Sequence, residues 1–434
     1  LSCARFLQSR DEAFVWCDTR TNPPGLDGIR SEFPSVALHC GELDAGLLRG
    51  ASEIIVSPGV SVLEPALRSA ADAGVPLVGD IELFVRATEK PVIAITGSNA
   101  KSTVTTLVGE MAAACGLRVG VGGNLGTPVL DMLANDAVMD CYVLELSSFQ
   151  LETTHSLRAN VATILNVSED HMDRYDSLQD YVAAKQRVYV NAGNAVVNRA
   201  DALTRPPENF AGHRWSFGTD LPVTDEGIAG AVGVQCIDGM CWLARDNGLR
   251  LMHVDDIRIA GNHNLANVAA AFAIALAAGW DAGSCAEAVR QFNGLPHRCQ
   301  WVAEKHGVRF YNDSKGTNTG ATVAAIEGLG SGRNVVLIAG GDGKGADFTP
   351  LAPVVRRQVR QLVLIGRDAD RIASVCHDVP QVRAASMVEA VAKAQQCAVA
   401  GDVVLLSPAC ASFDMFNGYD DRGRQFCAAV EALA

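Results

Sequence analysis

Val92-Ile-Ala-Ile-Thr-Gly-Ser-Asn-Ala-Lys-Ser-Thr103 is an apolar run that ends in a glycine turn, after which Lys-Ser-Thr opens an amphipathic helix. That order describes a phosphate-binding loop. Backbone N–H groups of Gly97, Ser98, Asn99 and Ala100, together with the helix N-terminus, would cradle phosphate oxygens. Lys101 would add a point charge, and a hydroxyl from Ser102 or Thr103 would reach a magnesium ion. The spacing departs from the common pattern, because Ile95 and Ala100 stand where glycines are usual. Alone, the fragment reads equally well as a strand, a turn and a helix with a surface lysine, so its neighbours must decide.

At 434 residues the chain is too long for one ordinary core, and two to four domains of roughly 100–200 residues are expected. Hydrophobic residues at 48% and charged residues at 20% are globular composition. No apolar run approaches the roughly 20 residues needed to cross a bilayer, so no membrane insertion is expected. The first residues, Leu-Ser-Cys-Ala-Arg-Phe-Leu, lack the basic and apolar regions of a secretory leader. A net charge of −13 argues against a nucleic-acid surface. Thirteen irregularly spaced cysteines read as reduced thiols in a cytoplasmic protein, and Cys236 and Cys241 have the wrong separation for a zinc pair.

Strand–helix alternation runs along most of the chain and predicts parallel sheets flanked by helices. We place strands at Ala13–Asp18, Glu53–Gly59 and Pro76–Asp80, then at Val92–Thr96, Tyr142–Leu146, Val161–Asn166 and Ala195–Asn198. Residues 203–258 read as short strands and turns, and an apolar helix follows over Asn264–Ala278. Three last strands fall at Val335–Gly341, Gln361–Gly366 and Asp402–Ser407. The expected architecture is three α/β domains in series, 1–81, 82–294 and 295–434. The first and last would be Rossmann-like and the middle one P-loop ATPase-like.

Open parallel sheets bind ligands at the carboxyl ends of their strands. Glu145 ends one such strand and could hold the magnesium of bound ATP. A loop after another strand gathers Glu169, Asp170, His171 and Asp173. Beside Lys101 and Glu145, His171 becomes a candidate second metal ligand, although alone it would be read as solvent-facing.

Further segments follow in order: Gly122-Gly-Asn-Leu-Gly126, Glu145-Leu-Ser-Ser-Phe-Gln150, Glu169-Asp-His-Met-Asp-Arg-Tyr175, Leu295-Pro-His-Arg298, Asn312-Asp-Ser-Lys-Gly-Thr-Asn318 and Leu406-Ser-Pro-Ala-Cys-Ala-Ser412. With the phosphate loop, this series resembles the Mur ligase family over essentially the whole chain. The resemblance implies a monomeric, ATP-dependent enzyme of peptidoglycan precursor synthesis that adds D-glutamate to UDP-N-acetylmuramoyl-L-alanine through an acyl phosphate. The last domain lacks Asp-Asn-Pro-Arg, which speaks against the relatives that add diaminopimelate or lysine.

Carried over by position, the family's pattern implies two magnesium ions, one on Ser102 and Glu145 and one supported by His171 and a carbamylated Lys185. It likewise assigns Asn264, Asn267, Arg298 and Asp313 to ATP. Asp18, Thr19, Arg20, Asn124 and Ser147 fall to the UDP-substrate, and Lys315, Thr317, Lys344, Ser412 and Tyr419 to D-glutamate. From sequence alone Lys185 would be a surface lysine on a helix.

Two departures qualify this. The family's opening strand and glycine turn are missing before the first helix, so the chain reads as part of a longer one. Ala100 replaces the glycine before the lysine, at a cost of about 1–2 kcal/mol if φ there is positive. A related ligase with another acceptor, a folylpolyglutamate-type ligase and a catalytically weakened nucleotide-binding homologue are the competing readings.

Overall fold

The computed structural model describes residues 1–172, 174–224, 226–259 and 261–433. Its centre is a nine-stranded sheet. Starting from one edge, the strand order is Arg250–His253, Met240–Arg245, Ile228–Ile237, His213–Phe217, Asn194–Asn198, Val161–Ile164, Val92–Thr96, Cys141–Glu145 and Val119–Gly123. Pairing is parallel except for the two contacts made by Met240–Arg245. The stretch expected to hold short strands and turns thus extends the central sheet.

Val92–Thr96 is buried at every position, as its unbroken apolar run requires when helices cover both faces. The chain leaves it for Val119–Gly123 and Cys141–Glu145 on one side and returns at Val161–Ile164 on the other. This reversal is the topological switch point, where a crevice opens at the carboxyl ends of the strands. Helices Lys101–Ala114 and Asn262–Ala277 pack together on one face, with Val104, Leu107, Val108, Met111, Phe272 and Ile274 all inaccessible.

The third unit is a six-stranded sheet ordered Gln300–Lys305, Val308–Asn312, Val403–Leu406, Val335–Gly340, Val359–Ile365 and Gln381–Arg383, antiparallel only at its first pair. The first unit differs from the single expected sheet. It holds two separate parallel pairs, Trp16–Asp18 with Leu38–Cys40 and Ile54–Ile55 with Leu77–Val78, and no strand among the described residues bridges them.

One expectation about the cysteines is corrected. Cys236 and Cys241 form a disulfide, while the other eleven are free. The physical reason is a two-residue hairpin: Asp238 and Gly239 have φ of 51° and 78°. Asp-Gly favours this doubly left-handed turn, and the resulting register sets Cys236 opposite Cys241.

Candidate functional site

The phosphate loop lies at the switch point, with helix Lys101–Ala114 beginning directly after Ala100. Gly97 has φ of 151°, and a Cβ there would sit 3.2 Å from Leu165 Cβ and 3.3 Å from Asn166 O, so the glycine permits the close approach of the neighbouring strand end. Ala100 adopts φ 66°, ψ −3°. The left-handed conformation that would make alanine costly at this position is therefore present. His171, His297, Cys299 and Ala409 also have positive φ.

Lys101 Nζ donates to Gly97 O at 2.8 Å and to Ser98 O at 3.1 Å. Burial pushes its pKa down, opposed by the carboxylates of Glu145 and Asp170. The structure overturns the surface reading of Lys185, which is 1% exposed. Its Nζ donates to the same Gly97 oxygen at 2.9 Å and lies 4.3 Å from the centre of the Tyr181 ring. Burial first, and the charge of Lys101 second, hold Lys185 well below the usual lysine range. Helix Leu178–Gln186 presents Tyr181, Val182, Ala184 and Lys185 inward, a face that its charged residues Asp180 and Lys185 obscured in the sequence.

Glu145 is 2% exposed. Its Oε1 accepts from Asn124 Nδ2 at 2.7 Å, whereas its buried Oε2 has no hydrogen-bond partner among the described residues. An unpartnered buried carboxylate oxygen needs a ligand, and a hard cation suits it. Ser102, the second residue assigned to this ion by resemblance, has an Oγ that accepts from Arg298. Among the described residues no group of three or more His, Cys, Asp or Glu is placed to hold a metal. A sparse oxygen set of this kind fits magnesium, which takes few protein ligands and completes its shell with phosphate and water oxygens. His171 lies with its ring 4.8 Å from Phe149 and 6.5 Å from Tyr181. Tyr181 thus touches both His171 and Lys185. Asp173 lies outside the described residues, and Glu169 is exposed.

The third unit reaches over this loop. Arg298 Nη2 donates to Ser102 Oγ at 2.7 Å, and burial depresses its pKa. Asp313 is buried between Ser407, whose hydroxyl donates to Oδ2 at 2.7 Å, and Cys299, whose N–H donates to Oδ1 at 3.2 Å. Burial pushes Asp313 up to about 6 despite those bonds. Lys315 Nζ stands 3.9 Å from the centre of the Tyr419 ring. Its pKa is lowered to about 8, by burial and then by Arg298. Between the two units lies a cavity of about 340 Å³ whose lining includes Ala100, Asn264, Asn267, Arg298, Asp313 and Lys315. Asn267 Nδ2 donates to Asn264 Oδ1 at 3.0 Å.

The remaining assigned residues are less convergent. Asn124 is bonded to Glu145, and Ser147 caps helix Ser148–Glu152 in a reciprocal box with Gln150. Asp18 and Arg20 form a bidentate pair at the end of the first strand, beside exposed Thr19. Ser412 is buried, Thr317 is exposed, and Lys344 sits on an exposed turn where its N–H donates to Asp342 Oδ1.

Three residues escaped the sequence reading. Asn318 caps helix Thr319–Leu329 and reaches Asn99 Oδ1 at 3.3 Å and Asp170 Oδ2 at 3.4 Å across the units. Its cap position was legible; its reach was not. Arg422 is fully buried and donates to the carbonyls of Ser314, Cys410 and Ala411, tying together the two loops of the third-unit site. Arg174 donates to Pro58 O and Val60 O, joining the first unit to the second.

A phosphate loop with an unsatisfied carboxylate beside it, closed by an arginine from a separate α/β unit, defines a protein that works on nucleoside triphosphates. Family models agree in order along the chain. The MurD-like N-terminal domain of Mur ligases matches residues 1–79, the Mur ligase middle domain matches 95–275, and the Mur ligase glutamate ligase domain matches 297–410. The chain belongs to the Mur ligase family. It is 53% identical over 437 aligned residues to the UDP-N-acetylmuramoylalanine--D-glutamate ligase of Pseudomonas fluorescens, covering 100% of this chain and 96% of that one. The enzyme of the same name from Pseudomonas aeruginosa gives the same figures. In fold, it is similar to a pseudomurein peptide ligase type C from Methanothermus fervidus, with a TM-score of 0.62 at 18% identity over 99% of this chain and 96% of that chain. MurF from Acinetobacter baumannii gives 0.61 at 15% identity, covering 90% and 93%.

Proposed function

We propose that the chain is the ATP-dependent ligase that joins D-glutamate to UDP-N-acetylmuramoyl-L-alanine in the cytoplasmic synthesis of peptidoglycan precursors. Full-length identity to enzymes bearing that name supports the acceptor and the amino acid. The observation that carries the chemistry is the buried Oε2 of Glu145, which has no partner among the described residues in the crevice that also receives Lys101 and Arg298. In this reading residues 1–81 bind the UDP-substrate, 82–294 bind ATP and 295–434 bind D-glutamate.

The alanyl carboxylate attacks the γ-phosphorus of ATP, the bond to the β-phosphate oxygen breaks, and ADP leaves an acyl phosphate. Lys101 and Arg298 offset the charge spread over the transferring group. Asn264, Asn267 and Asp313 hold the nucleoside in the cavity between the units. The neutral amine of D-glutamate then attacks the acyl carbonyl. The tetrahedral intermediate expels phosphate, a proton is lost from nitrogen, and a peptide bond remains. Lys315 on the face of Tyr419, with Thr317, Lys344 and Ser412, would orient the two carboxylates of D-glutamate. Acyl phosphates hydrolyse, so the overhang of the third unit serves to exclude water.

Magnesium held by Glu145 and Ser102 would supply Lewis-acid polarisation of the phosphates. Lys185 suits carbamylation: among the described residues its buried amine forms no ion pair with a carboxylate, and it shares an acceptor with Lys101. The ammonium would first shed a proton; the neutral amine would then add to carbon dioxide with loss of a second proton, turning a cation repelled by Lys101 into an anion that, with His171, could hold a second magnesium ion. Carbon-13 NMR in labelled bicarbonate, comparing the chain with Lys185→Arg, tests it.

Phosphate release from ATP, measured with UDP-N-acetylmuramoyl-L-alanine and D-glutamate, L-glutamate or no amino acid, tests the whole reading. Release that requires D-glutamate is expected. Equal release with L-glutamate, or no release with D-glutamate, would refute it.

A further inference from the structure

The nucleotide cavity has two helical walls. Helix Asn262–Ala277 of the central unit supplies His263, Asn264 and Asn267, and helix Thr319–Leu329 of the third unit supplies Ala321, Ala324 and Ala325. The walls belong to different sheets. Their separation is therefore set by the contacts between the two units, and the one at His263 has an unusual construction.

At the start of the first helix, Gly261 has φ of 99°, and a Cβ on it would lie 2.9 Å from His263 Cε1 and 3.3 Å from Gly328 Cα. A Cβ on Gly328, near the end of the opposite helix, would lie 2.6 Å from His263 Nδ1. Real side chains do not tolerate that approach, so the imidazole occupies the space that two absent side chains leave open. The ring bonds to the backbone of Ala324, its buried Nδ1 has no partner among the described residues, and burial pushes its pKa down to about 4. It is a neutral wedge held by one hydrogen bond and by shape. The other end of helix Thr319–Leu329 also docks closely, though less so, since a Cβ on Gly320 would lie 3.0 Å from Ser168 Oγ.

We propose that His263 is a positioning residue whose contact with Gly328 gauges the width of the nucleotide cavity, and so the fit of the bound nucleoside. The proposal rests on the nucleotide-binding reading above. Adding a methyl at 328 would drive the helices apart, because packed interiors respond to added volume by displacement. Removing the imidazole would let that wall collapse or leave a gap. The two changes should therefore compensate: a methyl at 328 can enter space that the ring vacates.

The test is titration calorimetry of a non-hydrolysable ATP analogue with magnesium on the full chain and on Gly328→Ala, His263→Ala and the double variant, with melting curves for each. Gly328→Ala is expected to weaken binding on the order of tenfold and His263→Ala several-fold. The double variant should recover to within about threefold of the parent, a non-additivity expected of residues in contact. Folded Gly328→Ala with unchanged affinity, or single losses that simply add in the double variant, would overturn the proposal. If Gly328→Ala does not fold, His263→Ala decides alone, and unchanged affinity there overturns it. A parent chain that binds no nucleotide overturns the functional reading itself.

Discussion

Replacing Asp313 by asparagine should stabilise the protein while disabling it, and the gain should depend on pH. The Asp313 carboxyl titrates near 6 in the fold against 3.8 ordinarily, because burial penalises its charge more than its hydrogen bonds and Arg298 restore. A raised carboxylate is bound to its proton more tightly in the fold than in the unfolded chain. Stability is therefore lost as pH climbs from 3.8 toward 6, and the full cost is present above that. Linkage puts the cost at about 3 kcal/mol at pH 8, roughly half of that at pH 5 and well under half at pH 4. Asparagine carries no charge. Its carbonyl can still accept from the Cys299 N–H, and its amide can donate to Ser407, whose hydroxyl already neighbours Thr322 Oγ1 at 3.1 Å. Urea unfolding of both proteins at the three pH values, followed through the third unit, reads the difference directly. Phosphate release measured in parallel should fall, since Asp313 lines the nucleotide cavity. A difference that does not vary with pH, or a less stable Asp313→Asn at pH 8, would refute the argument that burial of this charge dominates its energetics.

Lys315, lowered to about 8, should lose its proton above that pH, so the KM for D-glutamate should rise there while the KM for ATP stays flat. Lys315→Arg should abolish the rise; an unchanged profile would remove Lys315 from the amino-acid site. Ala100→Gly relieves about 1–2 kcal/mol of left-handed strain, but adds about 0.4–1 kcal/mol of unfolded-state entropy and removes a methyl packed on the core. Its stability should therefore shift by less than about 1 kcal/mol, while nucleotide affinity improves. Ligase activity confined to the glycine variant would mark the parent as impaired. Glu145→Gln keeps an acceptor for Asn124, so melting should barely change, yet phosphate release should drop on the order of 10²-fold or more; near-normal turnover would exclude Glu145 as the magnesium ligand.

The amino-acid sequence by itself determined what depends on neighbours along the chain. The strand Val92–Thr96, the turn at Gly97 and the helix opening at Lys101 are read correctly because burial of the run, backbone geometry at the turn and helix initiation are local properties. Glu145 is legible for the same reason, as a carboxylate ending an apolar strand. The Asp238-Gly239 hairpin is equally local, and its turn signal carries with it the pairing of Cys236 with Cys241. What only the tertiary structure decided concerns groups whose environment is built by distant segments. Lys185 looks solvent-exposed on its helix until Gly97, from 88 residues earlier, comes to lie over it. Arg298 meets Ser102 across 196 residues, and His263 finds its space because Gly328 has no side chain. Burial, charge repulsion and close approach in these places are sums over the folded chain, and no window of sequence contains their terms.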